Sequence, residues 1–339
     1  MTAVGPPLPG YPDAAGDRDR FILGLRPKRP RRDAWRHQGV LVEQEPAADG
    51  RLAAVATVFL TGRECPWRCV MCDLWRYTTE EDTAAGAIPA QLDLALSELD
   101  ARSGREACSV VKLYNAGSFF DPRAVPVSDY DAIASRLARF ERVVVESHPA
   151  LVGPRIDRLR EALDRAKGRS LALEVAMGLE TANPETLALL HKGITLESFR
   201  RAADDLKARE VSLRAFLLVH PPFTPRAERE AWLERSVDFA FDCGATAIAL
   251  IPTRGGNGAM EALVTEGRFE PPTLADLERA VSLARTRARG RVLADLWDLD
   301  RLATCPDCFS RRAERLGRQN LEQRALAPVA CRSCGGGSS

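Results

Sequence analysis

The chain has 339 residues, 45% hydrophobic and 28% charged, enough for one sizeable core with additions. Its formal net charge of +1 gives no global basic field of the kind many nucleic-acid binders carry. No apolar run reaches the length of a membrane span. The first twenty residues, MTAVGPPLPGYPDAAGDRDR, lack the apolar region of a signal peptide, and residues 1–25 are expected to be a disordered segment. Nine cysteines, most of them in clustered motifs, point to metal binding in a reducing compartment, and so to the cytoplasm.

Residues 26–36, RPKRPRRDAWR, are a short basic segment around Trp35. It suits RNA phosphates and a stacked base, or equally a solvated arm ahead of the domain. Residues 40–60 predict a hairpin: VLVEQ, an acidic turn closing at Asp49-Gly50, then the buried strand LAAVATVFL over 52–60. Thr61-Gly62-Arg63-Glu64 turns onto a loop that holds Cys65, Cys69 and Cys72, spaced C-x3-C-x2-C.

Three thiolates are one short for a closed tetrahedral zinc site and for a fully ligated cubane. A [4Fe-4S] cluster on three cysteines keeps one iron free for an outside ligand. Zinc with a borrowed fourth ligand, or a redox cysteine pair, remains open. The run is compact for a zinc ribbon, however, and no histidine lies near it. Trp67 and Met71 lie between the thiols as apolar cover.

Helix and strand signals then alternate. Residues 89–102 read as a helix with Pro89 at its start, and SVVKLY (109–114) as a strand ending in Asn115-Ala116-Gly117-Ser118. Residues 128–139 form a helix, and RVVVE (142–146) a strand ending at Glu146, with Ser147 and His148 beyond it. A helix over 154–166 precedes the strand LALEVAM (171–177) and the segment Gly178-Leu179-Glu180-Thr181. His191-Lys192-Gly193 reads as a helix end, with the cation at the negative end of the dipole and glycine closing it.

The helix over 195–209 should bury Phe199, Ala202, Ala203 and Leu206. VSLRAFLLV (211–219) carries Arg214, a candidate to pair with Glu174 or Glu180 or to reach a carboxylate in the site. A helix over 228–241, the strand ATAIALI (245–251) and a loop with Arg254 and Asn257 follow. That loop lacks the lysine of a phosphate-binding loop and suits adenine or substrate. After a helix over 273–289, RVLADL (291–296) ends by Asp295, Trp297 and Asp298, two acids flanking a stacking surface for a nitrogen-rich substrate.

Six or seven parallel strands in this rhythm predict an α/β chain folded as a partial (βα)6 TIM-like barrel across residues 26–300. Strand ends are where such sheets place their chemistry. Residues 301–339 are expected to be a metal-binding tail, because Cys305, Cys308, Cys331 and Cys334 form two C-x2-C pairs 22 residues apart. Structural zinc is the favoured occupant and a second cluster the alternative. Arg311, Arg315 and Arg318, between the pairs, fall roughly on one helical face suited to RNA phosphates, or to solvent. Cys108 and Cys243 read as buried thiols.

C-x3-C-x2-C after the first strand of a repeated β/α chain resembles the radical S-adenosylmethionine superfamily. YNAGSFFDP (114–122), GLETANPETLALLHKG (178–193), IPTRGGNG and ADLWDLD resemble, more narrowly, the archaeosine synthase radical subunit and the branch that includes the Elongator catalytic subunit. The resemblance implies a [4Fe-4S] cluster on Cys65, Cys69 and Cys72 that reductively cleaves S-adenosylmethionine to a 5'-deoxyadenosyl radical. It implies cofactor binding by Asn115, Gly117, Ser118, Glu146, Glu180 and Arg214. His148, Arg254, Asn257, Asp295, Trp297 and Asp298 become substrate candidates.

The chain departs from the family at Met71, where an aromatic is usual, and at Asn115–Ser118, which lacks the acidic residue of the usual motif. The implied reaction is carbon–nitrogen cleavage on a 7-deazaguanine base of tRNA. The implied partners are a flavodoxin or ferredoxin as reductant, tRNA and a separate tRNA-modifying subunit. Radical chemistry on a small metabolite or peptide, and a zinc-stabilised RNA-binding or scaffold protein without catalysis, are the competing readings.

Overall fold

The computed structural model describes residues 10–104 and 107–335. One eight-stranded sheet runs in strict chain order: β1 (Gly39–Pro46), β2 (Leu52–Leu60), β3 (Val110–Asn115), β4 (Arg142–Glu146), β5 (Ala172–Glu180), β6 (Ser212–Val219), β7 (Ala245–Pro252) and β8 (Arg291–Ala294). The β1–β2 hairpin is antiparallel, turning at Gly50 with φ +79°, and every later neighbour is parallel. Parallel neighbours need crossovers, supplied mainly by α2 (Ala87–Ser103), α3 (Tyr130–Leu137), α4 (Arg155–Lys167), α6 (Leu196–Ala208), α7 (Arg229–Asp242) and α9 (Leu274–Thr286). The sheet curls into a half-barrel with these helices outside, so the strands are buried on both faces and read as continuous apolar runs. Phe199, Ala202, Ala203 and Leu206 form the buried face of α6, as their spacing predicts.

The free edge of β8 is closed by α10 (Pro306–Glu322). Asn320 Oδ1 accepts from the Ala294 N–H at 2.8 Å, and Asn320 Nδ2 donates to the Ala294 carbonyl at 2.8 Å. Gln323 makes the same pair of bonds to Val292, at 2.9 and 3.1 Å. Two side-chain amides thus satisfy the ladder groups that a ninth strand would take.

Three expectations are corrected. Residues 15–25 of the expected disordered segment form a helix, α1 (Ala15–Leu25), that buries Phe21 and Ile22; residues 1–9 lie outside the described residues. The acidic stretch before the hairpin turn is strand, not turn: Glu43 and Glu45 belong to β1 and reach into the half-barrel. There Glu45 meets Arg214, which pairs with Glu174 as the sequence allowed but is held at the strand beginnings by both acids and so is not placed as a cofactor ligand. Its Nε donates to Glu174 at 2.6 Å and its two terminal nitrogens to Glu45 at 3.2 and 2.9 Å. Arg291 donates to Glu174 at 3.1 Å, and Lys112 binds both Glu43 and Glu45. This network lies toward the strand beginnings and floors the half-barrel. Its cations hold the Glu45 and Glu174 carboxyls below the usual range despite the opposing effect of burial.

Candidate active site and metal centre

The cysteine loop hangs from the end of β2 and is held on several sides. Buried Gln91 of α2 accepts from the Thr61 N–H at 2.8 Å and donates back to the Thr61 carbonyl at 2.8 Å. A side chain at Gly62 would come within 2.9 Å of the Ala124 carbonyl, so the loop leaves the strand in close backbone contact. The Val70 N–H bonds the Leu190 carbonyl at 3.0 Å. Asn257, expected to touch substrate, instead donates to the carbonyls of Val70 and Cys72 at 2.7 and 3.2 Å. It positions the cysteine loop.

Cys65, Cys69 and Cys72 are half-buried, and burial pushes the thiols of Cys65 and Cys72 up to about 11 and 12, and that of Cys69 higher still. Proton release must therefore accompany metal binding here.

Facing this loop is a set of buried polar groups at the strand ends. Asn115, the last residue of β3, is 2% exposed, and neither Oδ1 nor Nδ2 has a partner. Buried amides are almost always satisfied, so idle donor and acceptor atoms here leave a role for a water or a ligand, as they also do at Gln319 of the C-terminal helix. A side chain at Gly117 would meet the Arg63 carbonyl at 2.7 Å, so glycine lets the cysteine loop close over this strand end. Glu146 ends β4; burial pushes its carboxyl up to about 8, with the Lys192 charge acting in the opposite direction.

Glu180 ends β5 at a register shift, with φ +69°. It pairs with the buried ammonium of Lys192. A side chain at Gly178 would fill the space that pair occupies. Lys192 is thus not the solvated helix-end cation its sequence suggests. It turns inward, and its charge acts on Glu180, Cys69 and Glu146. The loop carrying it is braced by the N-terminal segment: Tyr11 Oη donates to the Leu189 carbonyl at 2.6 Å, Arg18 to the Ala188 carbonyl at 2.8 Å, and Asp19 meets His191 at 2.7 Å.

His148 and Ser118 are used internally. Ser118 Oγ accepts from the His148 N–H at 2.6 Å. The ring takes the Ala150 N–H on Nδ1 at 3.1 Å, leaving Nε2–H to donate to the Lys192 carbonyl at 3.0 Å. Trp67 stacks on that ring, centroids 3.4 Å apart, and burial pushes the imidazole down to about 3. His148 is a neutral support for the cysteine loop, with no ring nitrogen free for substrate. Gly193, at φ +73°, keeps clear of Trp67, which a side chain there would approach to 2.7 Å.

At the other side of the mouth Arg254 pairs with Asp295 at 2.8 Å, and Asp295 accepts the Trp297 N–H at 3.0 Å. Trp297 is 42% exposed and lies edge-on to Phe59 at 4.6 Å. Asp298 is exposed, 3.9 Å from Arg301. Arg254, Asp295 and Trp297 therefore form one wall, and Asp298 stands outside it.

The tail cysteines form a second centre. Cys305 precedes α10 and Cys308 lies in its first turn; their sulfurs stand 3.9 Å from Cys331 and 3.8 Å from Cys334 respectively. All four ligand atoms lie within 4.8 Å of one another. A tetrahedron with Zn–S bonds of about 2.3 Å has edges of about 3.8 Å, so the donor set fits one ion. The thiols titrate as one interacting set, with Cys331 shifted down by neighbouring N–H groups and Cys308 shifted up by burial. Of the three arginines expected on one face, Arg311 is exposed with no ion pair among the described residues, whereas Arg315 and Arg318 have partners. Arg312 and Arg315 bind Glu278, the latter at 3.1 Å, and Arg315 also donates to the Leu326 carbonyl at 2.7 Å. Arg318 pairs with Glu322 at 3.0 Å.

No protein-family model matches the chain. An uncharacterized protein of Methanocaldococcus jannaschii is 23% identical over 312 residues, covering 88% of this chain and 83% of that protein. Archaeosine synthase subunit beta of Methanosarcina acetivorans is 28% identical over 247 residues, 68% of this chain and 69% of that subunit. Among solved structures, an N-terminally truncated Elp3 of Methanocaldococcus infernus superposes with a TM-score of 0.53 at 14% identity, over 79% of this chain and 63% of that one. That superposition shows a shared half-barrel fold. No described helix is long and apolar enough to cross a membrane.

Proposed function

We propose that the chain is a radical S-adenosylmethionine enzyme. The observation that carries this reading is the orphaned Asn115 amide at the same mouth as three half-buried cysteines. An amino acid's ammonium and carboxylate need an acceptor and a donor, and Asn115 offers both. Cys65, Cys69 and Cys72 would hold a [4Fe-4S] cluster, which when bound supplies one electron for cleavage of the sulfonium. Lys192 gives the cofactor carboxylate a cation, Glu146 and Glu180 face its ammonium or ribose hydroxyls, and Gly117 allows close backbone approach. Trp67 on His148 shuts water out of one side.

The substrate we assign is a 7-deazaguanine base of tRNA undergoing carbon–nitrogen cleavage, supported by the likeness to archaeosine synthase subunit beta across 68% of the chain. The wall of Arg254, Asp295 and Trp297 offers the donor, acceptor and stacking plane such a base needs. The tail is read as structural zinc, supported by sulfur separations that suit one ion. Four irons would hold the thiolates wider apart.

Anaerobic iron, sulfide and zinc analysis with S-adenosylmethionine turnover tests this. The expected result is about four irons and one zinc per chain, with 5'-deoxyadenosine formed under dithionite. Zinc alone after reconstitution refutes the enzyme reading.

A further inference from the structure

A cluster that must be reduced needs a surface where an electron donor can approach it. The outside of the cysteine loop is covered by residues 26–36. Arg26 has φ −67° and ψ 132°, near polyproline II values, and Pro27 and Pro30 favour the same conformation. Three residues per turn put Arg26, Arg29 and Arg32 on one edge and Lys28 and Arg31 on another.

The contacts follow that division. Arg26 and Arg29 both bind Glu64, the residue before Cys65, and Arg32 donates to the Arg76 carbonyl at 2.9 Å. Arg26 and Arg29 also lie 4.9 and 5.9 Å from the centre of the buried Trp75 ring, three residues past Cys72. Lys28 and Arg31 are exposed and meet no acid among the described residues. Beside the strap Leu74 and Tyr77 are 40% and 41% exposed. The acids nearby are half-buried Asp73, which begins that turn, and exposed Asp33, Glu80 and Glu81, and Glu80 stands 3.7 Å from Arg29.

We infer that this strap and the Leu74–Tyr77 turn form the docking surface for an acidic one-electron carrier protein that reduces the cluster. The inference rests on the radical reading above. Two exposed apolar side chains beside two unpaired cations suit a weak, charge-steered electron-transfer encounter, which needs little area. Arg26 and Arg29 bind Glu64, next to Cys65, and lie over Trp75, three residues past Cys72, so the strap lies against both ends of the cysteine loop. One electron passes from the carrier, which is oxidised by one electron, to the cluster, which is reduced by one.

The test is stopped-flow bleaching of the reconstituted cluster by flavodoxin hydroquinone, with Lys28→Glu/Arg31→Glu beside the natural chain. Both positions are exposed, so the fold should stand, and a thermal melt checks it. Reversal should slow reduction by flavodoxin about tenfold or more at low salt, with the gap closing as salt rises. It should also weaken binding of oxidised flavodoxin in a titration, while dithionite, a small ion that needs no docking, bleaches both chains alike. Equal flavodoxin rates in the two chains overturn the proposal, and weakened tRNA binding in their place would assign the strap to RNA. If dithionite bleaches neither chain, the cluster reading is refuted and the docking surface falls with it.

Discussion

Glu174→Gln tests the floor of the half-barrel. The Glu174 side chain is 1% exposed and meets Arg214 at 2.6 Å, Arg291 at 3.1 Å and Arg142 at 3.8 Å. Glutamine keeps the shape and one acceptor oxygen but removes the charge. Arg214 then depends on Glu45 alone, and Arg291 on the Pro46 carbonyl at 3.2 Å. Breaking a buried ion pair from one side costs about 3–5 kcal/mol, and the retained oxygen places this variant near the low end. A chain of 339 residues has an unfolding entropy of about 0.7 kcal/mol/K, so a loss of about 3 kcal/mol lowers Tm by about 4 °C. Calorimetry on the metal-loaded protein reads this directly. Because the site is buried, the shift should persist at high salt. A change below about 1 °C, or one that salt abolishes, would show that the floor network carries little of the stability assigned to it.

Three more outcomes follow from named contacts. Acid should unfold the protein through the same floor: the folded carboxyls of Glu45 and Glu174 titrate below their unfolded values, so their stabilisation is complete above the unfolded pKa of about 4.3 and is lost as pH falls below it. Tm measured down through that window should fall less steeply in Glu174→Gln. Asn115→Ala should weaken S-adenosylmethionine binding about tenfold or more in equilibrium dialysis, yet leave the melting temperature of the cofactor-free chain unchanged or higher, since it deletes two unsatisfied atoms. Lys192→Met should destabilise the chain by about 3 kcal/mol by stranding Glu180, and adding Glu180→Gln should recover most of that loss in a double-mutant cycle.

The strands were legible because both faces of a parallel sheet are buried: β2 and β4 fall on their predicted residues. Helix α1 was hidden because its charged first half and two glycines mask a short apolar second half, which packs on a distant part of the chain through the cluster shared with Leu187, Met260 and Leu263. The Arg214–Glu174 pair was foreseen, but the cofactor role given to Arg214 put it at the wrong end of the barrel, although its position held the clue. It is the third residue of β6, whereas Glu146 and Glu180 each end a strand. Lys192 was missed because a Lys-Gly pair after a helix has a sufficient local explanation. Its inward turn depends on the space left by Gly178, a tertiary fact. Asn257 and His148 were read as substrate contacts near the chemistry, and only their buried partners reveal that they hold the loop.

The two ends of the half-barrel differ in a way that bears on function more than any single motif does. At the floor, Glu45 and Glu174 each meet two basic side chains within hydrogen-bond reach. Such a network pairs every carboxylate, leaves idle only Arg291 Nε among its buried side-chain atoms, and stabilises one arrangement. At the mouth the balance is left open. Asn115 has two idle atoms, Glu146 is buried with its carboxyl pushed toward the neutral form, and Lys192 has Glu180 beside it with Cys69 and Glu146 within its field. Folding alone would select against such incompletely matched groups, because each costs free energy without a ligand. They persist where a bound molecule completes them, and a zwitterionic sulfonium has the mix of charges to do so. The strained φ of Glu180 falls at the same place, as expected where local stability has been given up to hold a side chain ready.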